Sequence, residues 1–233
     1  MPLKAITARR LAYLLGGLAA LGIAVASPLA TLDCRLLIAH MLQHLILMTI
    51  AAPLILMGAP SIHLPRGILQ SLMQRLTAPP IAWLAGTGTV IAWHIPSVFE
   101  LGMSSGPWHM AERICFFAAG LLFWWPILRP GPGAHSQSWM PPLYLFLATL
   151  PCDALSAFLT FCGRVVYPSY LAMQAPFHLS ALEDQEWAGT IMWVWVTFAY
   201  LAPAITITMR LLSRPAANAS SQERPWAQIG ARS

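Results

Sequence analysis

The sequence predicts an all-α protein, a polytopic membrane bundle of about six transmembrane helices with both termini in the cytoplasm. Of its 233 residues, 58% are hydrophobic and only 9% are charged, whereas soluble domains carry about 25% charged residues. Six apolar runs are long enough to cross a hydrocarbon core about 30 Å thick. They cover residues 11–31, 36–58, 79–99, 108–128, 140–162 and 186–211. Because these runs fill most of residues 1–212, we expect one bundle and no soluble domain.

The first run has a second interpretation. It follows three basic residues, Lys4, Arg9 and Arg10, and it reaches small residues at 24–26, an arrangement that a cleaved secretory signal peptide also has. The apolar sequence continues beyond these small residues to Ala30. This continuation favours an uncleaved first helix.

The segments between the runs carry weaker signals. Residues 68–76 could form a short amphipathic helix at the membrane surface, and the long outer connection 163–185 could cover the outer face of the bundle. The polar tail, residues 213–233, is predicted to be cytoplasmic and disordered. Three histidines fall in predicted connections, where a solvated imidazole needs no special role: His63, His135 and His178.

The basic residues orient the predicted bundle. Most of them lie on one side of the spans: Lys4, Arg9, Arg10, Arg66, Arg75, Arg129, Arg210, Arg214, Arg224 and Arg232. Only Arg35, Arg113 and Arg164 lie on the other side. The positive-inside rule makes the first side cytoplasmic. This distribution favours membrane lipid, and not nucleic acid, as the partner of a chain with a net charge of +5.

Four histidines indicate a metal site at the outer end of the bundle. His40 and His44 are one turn apart, so they share a face of the second predicted helix, and polar groups inside a membrane tend to mark functional sites. His94 and His109 fall at the same predicted depth. Met48 continues the stripe of the first pair; imidazole suits copper, zinc and iron, and thioether suits Cu(I). We therefore predict a metal site on these four histidines, for which copper, zinc and iron are all candidates.

Other polar residues near this end are candidate substitute ligands or supporting groups. Glu112 opens the fourth span, and Asp184 and Gln185 open the sixth, where we expect them to orient imidazole N–H groups. Asp153 is a carboxylate inside the fifth span and is a functional candidate for that reason. Its alternative role is a buried pair with Arg113 or a hydrogen bond to backbone freed by the preceding proline.

The sequence leaves open the role of the four cysteines and whether the histidines bind a metal ion or haem. The four cysteines show no C-x-x-C spacing, so they predict neither a zinc ribbon nor a redox motif. A disulfide between Cys34 and Cys162 would fit the oxidising outer side. A haem-binding membrane electron carrier is a second interpretation, with haem held by His94 and either His40 or His44, but it leaves the other histidine of the pair without a role. A small-solute or ion transporter is a third, although the predicted inner half lacks the polar groups that transport needs.

Several short motifs occur in a specific order. They are His40–His44 (HMLQH), Ala52–Pro53, Gly58–Pro60 (GAP), Trp93–Pro96 (WHIP), Trp108–Glu112 (WHMAE), Gly120–Pro126 (GLLFWWP), Tyr167–Tyr170 (YPSY), Asp184–Gln185, Ala188–Gly189 and Ile191–Trp193 (IMW). Together they make the chain resemble the CtaG-like family of cytochrome c oxidase assembly factors over about residues 27–205. The resemblance implies a non-enzymatic protein of the bacterial inner membrane that handles copper for a haem–copper oxidase. With it, we predict copper, Cu(I) favoured, as the metal on His40, His44, His94 and His109. The resemblance also implies an oxidase subunit and a copper donor protein as partners.

One position departs from the family pattern. The family tends to repeat the His-x-x-x-His spacing at the start of the fourth span, but here His109 is followed four residues later by Arg113. A guanidinium stays protonated and cannot bind a metal. Either the site has one ligand fewer, or Glu112, Asp184 or Met110 substitutes, or metal binding is weakened.

Overall fold

The computed structural model describes residues 7–60, 67–129, 139–172 and 179–222, with side chains to residue 213. These residues are helical, with short turns and no strand. The helices are α1 Ala8–Ala26, α2 Leu29–Leu32, α3 Leu37–Ile46, α4 Ala52–Gly58, α5 Ile68–Leu76, α6 Pro79–His94, α7 Pro96–Met103, α8 Gly106–Leu128, α9 Met140–Phe161 and α10 Ala181–Gln222. The all-α prediction is therefore confirmed.

Within the described ranges, five helical stretches are long and apolar enough to cross a membrane. They are Ala8–Leu32, Leu37–Gly58, Gly106–Leu128, Met140–Phe161 and Ala181–Ser213. The predicted third span, 79–99, is divided into the 16-residue α6 and the short α7. Ile95 adopts an extended backbone (ψ 126°), because Pro96 disfavours the helical conformation in the residue before it. The count of six spans thus stays a prediction.

The structure also refines the ends of the other predicted segments. The surface helix expected at 68–76 is present as α5, and its apolar residues Ile68, Leu69 and Leu72 are exposed. Residues 213–222 of the tail that was predicted to be disordered belong to α10, which continues to Gln222. Alanines at 216, 217 and 219 favour helix in this stretch. Residues 223–233 lie outside the described residues.

A π-helical turn, Leu47–Ala51, joins α3 to α4 without a break. Pro53 has no N–H to donate to the carbonyl four residues back. The amide of the preceding residue, Ala52, donates to the carbonyl of Leu47, five residues back, as in a π-helix. The carbonyl of Met48 in this turn accepts a hydrogen bond of 3.0 Å from the indole of Trp124 on α8. The turn therefore fixes α3 against α8.

One end of the bundle is formed where α3, α8 and α10 begin and where α6 and α9 end. The predicted metal-binding histidines lie near this end, which we call the site end. Asp184 near the start of α10 accepts hydrogen bonds from the first amides of α3, and Gln185 donates to the carbonyl of Leu159 in the last turn of α9 and to that of Arg164 after it. Tyr167 after α9 donates a hydrogen bond of 3.1 Å to the carbonyl of His94 at the end of α6. Side chains from widely separated parts of the sequence therefore meet here.

Close packing of α1 against α4 gives a direct test of the bundle. A Cβ added to Gly58 would lie 2.8 Å from the carbonyl oxygen of Arg10 and from the Cα of Leu14, whereas one added to Gly22 would meet nothing within 4 Å. We expect Gly58→Ala to lower the thermal unfolding midpoint in detergent, because backbone atoms would have to move. Gly22→Ala, the matched control, should leave it unchanged or raise it, since alanine favours helix by about 1 kcal/mol over glycine. Equal midpoints for the two variants would contradict this packing.

Candidate metal centre

Two imidazoles from α3 and a carboxylate from the first half of α8 converge in the interior of the bundle. The Nε2 atoms of His40 and His44 lie 3.3 Å and 3.7 Å from Oε1 of Glu112. The two imidazole rings are 4.3 Å apart between centroids. One ligand atom from each residue fits within a set whose members are all within 4.8 Å of one another. The helical spacing of the pair thus places both rings against one carboxylate.

The side chains of this cluster are buried, and most of their polar atoms lack a hydrogen-bond partner among the described residues. His40 and Glu112 are each 1% exposed and His44 is 4% exposed. Within the described part of the chain, all four ring nitrogens of the two histidines and Oε2 of Glu112 have no hydrogen-bond partner. Buried polar atoms normally have one, because leaving them unpaired costs several kcal/mol. The cluster therefore has the unused lone pairs that a bound cation would satisfy.

Aromatic and small residues shape the walls around the cluster. The ring of His44 stacks on Phe116 at 3.8 Å between centroids, and His40 packs against Phe99 at 4.9 Å. A Cβ on Gly102 would lie 2.9 Å from Oε2 of Glu112. Glycine at this position leaves room for the carboxylate.

Arg113 belongs to a charged network beside the cluster. Its guanidinium donates to the carboxylate of Asp33 and, through Nε, to Oε1 of Gln43 at 2.9 Å. Gln43 in turn donates to the carbonyl of Ala24 on α1 at 2.6 Å. Arg113 does not pair with Asp153, whose carboxylate instead accepts a hydrogen bond of 3.5 Å from the hydroxyl of Thr197. The arginine is thus a structural cation that connects α8 to α1 and α3.

His109 contacts Asp33 and Cys34, whereas the paired histidines contact Glu112. Its Nε2 is 3.4 Å from Oδ2 of Asp33, and its Nδ1 is 3.8 Å from the sulfur of Cys34. The ring stacks on that of His40, 5.6 Å away between centroids. Burial and the charge of Asp33 raise the pKa of Cys34 to about 11. Cys34 is therefore a thiol at neutral pH, and it is not disulfide-bonded to Cys162, since both cysteines are free.

His94 contacts a methionine in place of the other histidines. Its Nε2 lies 3.3 Å from the sulfur of Met41, and its Nδ1 lies 2.6 Å from the carbonyl oxygen of Val90. Met48 is buried nearby and lines a small cavity together with His94 and His44. The structure thus divides the four predicted ligands among three adjacent groups: the pair with Glu112, His109 with Asp33, and His94 with Met41.

Asp184 and Gln185 hold the backbone at the site end of the bundle. The carboxylate of Asp184 accepts hydrogen bonds of 2.6 Å and 3.1 Å from the amides of Leu37 and Ile38, the first residues of α3. The side-chain oxygen of Gln185 accepts a bond of 2.7 Å from the amide of Val166. Among the described residues, the hydrogen bonds of these two side chains therefore go to backbone groups and, for Gln185, to the sulfur of Cys162, and not to the imidazole N–H groups that were predicted as their partners. Asp184 positions His40 indirectly, by fixing the start of its helix.

Part of the predicted outer connection covers the site. The hydroxyl of Tyr170 donates a bond of 2.7 Å to the carbonyl of Asp33, and Ser169 donates to the carboxylate of Glu100. Burial and nearby carboxylates raise the pKa of Tyr170 well above its usual value, so its hydroxyl stays protonated as a donor. Residues 173–178 of this connection lie outside the described residues.

Three residues near the site carry little signal in the sequence. Asp33 precedes the second predicted span and is one of several acidic residues on that side. Met41 and Gln43 both lie between the paired histidines. The sequence does indicate Gln43 in one respect, because it is a polar amide side chain within the same apolar helical turn as His40 and His44. No local pattern indicates that Asp33 would meet Arg113, 80 residues later.

The fold and the site together define a class of protein: an all-helical chain with several potential membrane spans and a buried histidine–carboxylate cluster suited to a metal. The family model of the cytochrome c oxidase caa3 assembly factor, Caa3_CtaG, matches residues 3–214. The chain belongs to this family, which confirms the resemblance carried by its motifs. Comparison with curated proteins found no significant match, and comparison with solved structures found none either.

Proposed function

We propose that this assembly factor is an integral membrane protein that binds copper through His40, His44 and Glu112 and hands it to a haem–copper oxidase. The role is that of a metal chaperone without catalytic activity. A periplasmic copper donor protein and an oxidase subunit are the proposed partners. Membership of an oxidase assembly family supports the oxidase as the recipient.

The unpartnered ligand atoms are the observation that carries this proposal. Five nitrogen and oxygen atoms of these three side chains are buried and have no hydrogen-bond partner in the part of the chain that the structure describes, and the ligand atoms converge within 4.8 Å. Imidazole nitrogens suit copper and zinc, and the carboxylate would offset the charge of the cation. Glu112 takes the place that Arg113 cannot fill, so this chain keeps a three-ligand site despite its departure from the family spacing.

The proposed topology places the cluster at the periplasmic side of the inner membrane. We infer six crossings, with α6 as the additional one; its 16 residues extend about 24 Å, somewhat less than the hydrocarbon core. The short α7 would complete this crossing at the outer face. Both termini would then be cytoplasmic, as the positive-inside rule predicts.

Metal analysis of the purified protein tests the proposal. We expect wild type to hold copper after expression in copper-supplemented cells, and His40→Ala/His44→Ala to hold about one equivalent less, because two of the three proposed ligands of the cluster are removed. The control is His63→Ala/His135→Ala, which changes two histidines in predicted connections and should keep the wild-type copper content. Equal copper in all three proteins would contradict the proposal, and so would a Soret band, which would indicate haem.

A further inference from the structure

We infer a second, softer metal site next to the first, in a small cavity whose ligands are His94 and the thioethers of Met41, Met48 and Met192. The cavity has a volume of about 20 Å³, and the thiol of Cys152 and the ring of His44 also line it. Its chemistry fits a monovalent thiophilic cation, Cu(I) or its analogue Ag(I). The identity of the physiological ion as copper rests on the proposed function; the existence of the site does not.

The hydrogen bonding of His94 leaves a lone pair directed at sulfur. The carbonyl of Val90 can only accept, so the Nδ1 atom 2.6 Å away must carry the imidazole proton. In the neutral ring, Nε2 then carries an unshared pair, and it lies 3.3 Å from the thioether sulfur of Met41. A thioether has no proton to donate. Two electron-pair donors therefore face each other in the interior, where a cation between them would bind both.

The cavity has the size and lining for one small ion. A volume of about 10–15 Å³ accommodates a single water-sized sphere, and this cavity is only slightly larger. Met41, Met48 and Met192 are each at most 4% exposed, so their sulfur atoms are shielded from solvent. Much of the remaining wall is apolar, including Val90 and Phe116. Thioether ligands select Cu(I) over harder cations, and an apolar wall offers a water molecule few partners.

His44 connects the two sites. Its Nε2 is 3.7 Å from Glu112 in the first cluster, and its ring also lines the thioether cavity. The two proposed sites therefore share the His44 ring, and an ion moving from the histidine–carboxylate cluster to the thioether ligands would pass this residue inside the protein. The thioether site would hold the reduced ion, while the first cluster, with its carboxylate, accommodates harder ions as well.

Cu(I) stoichiometry and X-ray absorption of the full-length protein, purified in detergent under anaerobic conditions, test this inference. Wild type should bind a second equivalent of Cu(I), and its spectrum should show copper–sulfur scattering at about 2.3 Å, close to metal–sulfur distances in proteins. Met41→Leu/Met192→Leu should lose that equivalent and the sulfur signal. Leucine and methionine have similar volumes, so this variant should keep its fold. Met209→Leu, which changes an exposed methionine, is the matched control and should match wild type.

The two proposals fail differently in this experiment. His40→Ala should lose one equivalent of Cu(I) but keep the sulfur signal, because His40 belongs to the first cluster. An unchanged stoichiometry and sulfur signal in Met41→Leu/Met192→Leu would overturn the second site. A wild-type spectrum with only nitrogen and oxygen ligands would overturn it as well, while leaving the first cluster intact. Wild-type copper binding in His40→Ala would count against the proposed function and not against the thioether site.

Discussion

Glu112→Gln is expected to weaken copper binding about 100-fold or more, since even groups that only support a ligand change affinity 10–100-fold. The substitution keeps the size of the side chain but removes the charge that lies 3.3 Å and 3.7 Å from two imidazoles. Each tenfold loss corresponds to about 1.4 kcal/mol. Competition with a copper chelator measures the dissociation constant directly.

Glu100→Gln is the control for this prediction. Glu100 lies on α7, where its carboxylate accepts hydrogen bonds from Ser169 and does not belong to the buried cluster. This variant should bind copper as wild type does. A Glu112→Gln protein that is folded and binds copper within about twofold of wild type would show that the carboxylate is not a ligand.

Arg113→Met is expected to have the largest effect on folding. The guanidinium pairs with the carboxylate of Asp33, which is 0% exposed. Removing one partner of a buried ion pair leaves the other charge without compensation and costs about 3–5 kcal/mol. The thermal or denaturant unfolding of the protein in detergent measures the loss.

Two further variants separate loss of the ion pair from loss of the side chain. Asp33→Asn/Arg113→Met removes both charges and should be more stable than Arg113→Met alone. Arg35→Met changes an exposed arginine and should alter the unfolding free energy by no more than about 0.5 kcal/mol. If Arg113→Met and Arg35→Met unfold alike, Arg113 does not stabilise the structure in this way.

Helical periodicity explains why one half of the site is predictable. The four-residue spacing of His40 and His44 requires a shared face on any regular helix, and the structure has that face buried. The apolar lengths likewise predict the helices that begin near Leu37, Gly106 and Met140. The break of the third span follows from Pro96, a signal that hydrophobic length alone does not take into account.

The other half of the site depends on packing between helices. His94 meets Met41 because of how α6 packs: at Gly86 it lies so close to Phe123 on α8 that an added Cβ would be 2.6 Å from that ring. Asp184 binds the start of α3 because α10 begins at Ala181, several residues before its apolar run. Helix rotation and such long-range pairings depend on contacts between distant segments. No pattern within one helix specifies them.

Electron paramagnetic resonance of the purified protein loaded with one equivalent of Cu(II) tests the central claim most directly. The proposed cluster predicts hyperfine coupling to imidazole nitrogens in wild type and in the His63→Ala/His135→Ala control. It predicts that this coupling is lost in His40→Ala/His44→Ala. Identical spectra for wild type and His40→Ala/His44→Ala would contradict the claim that these two histidines bind copper.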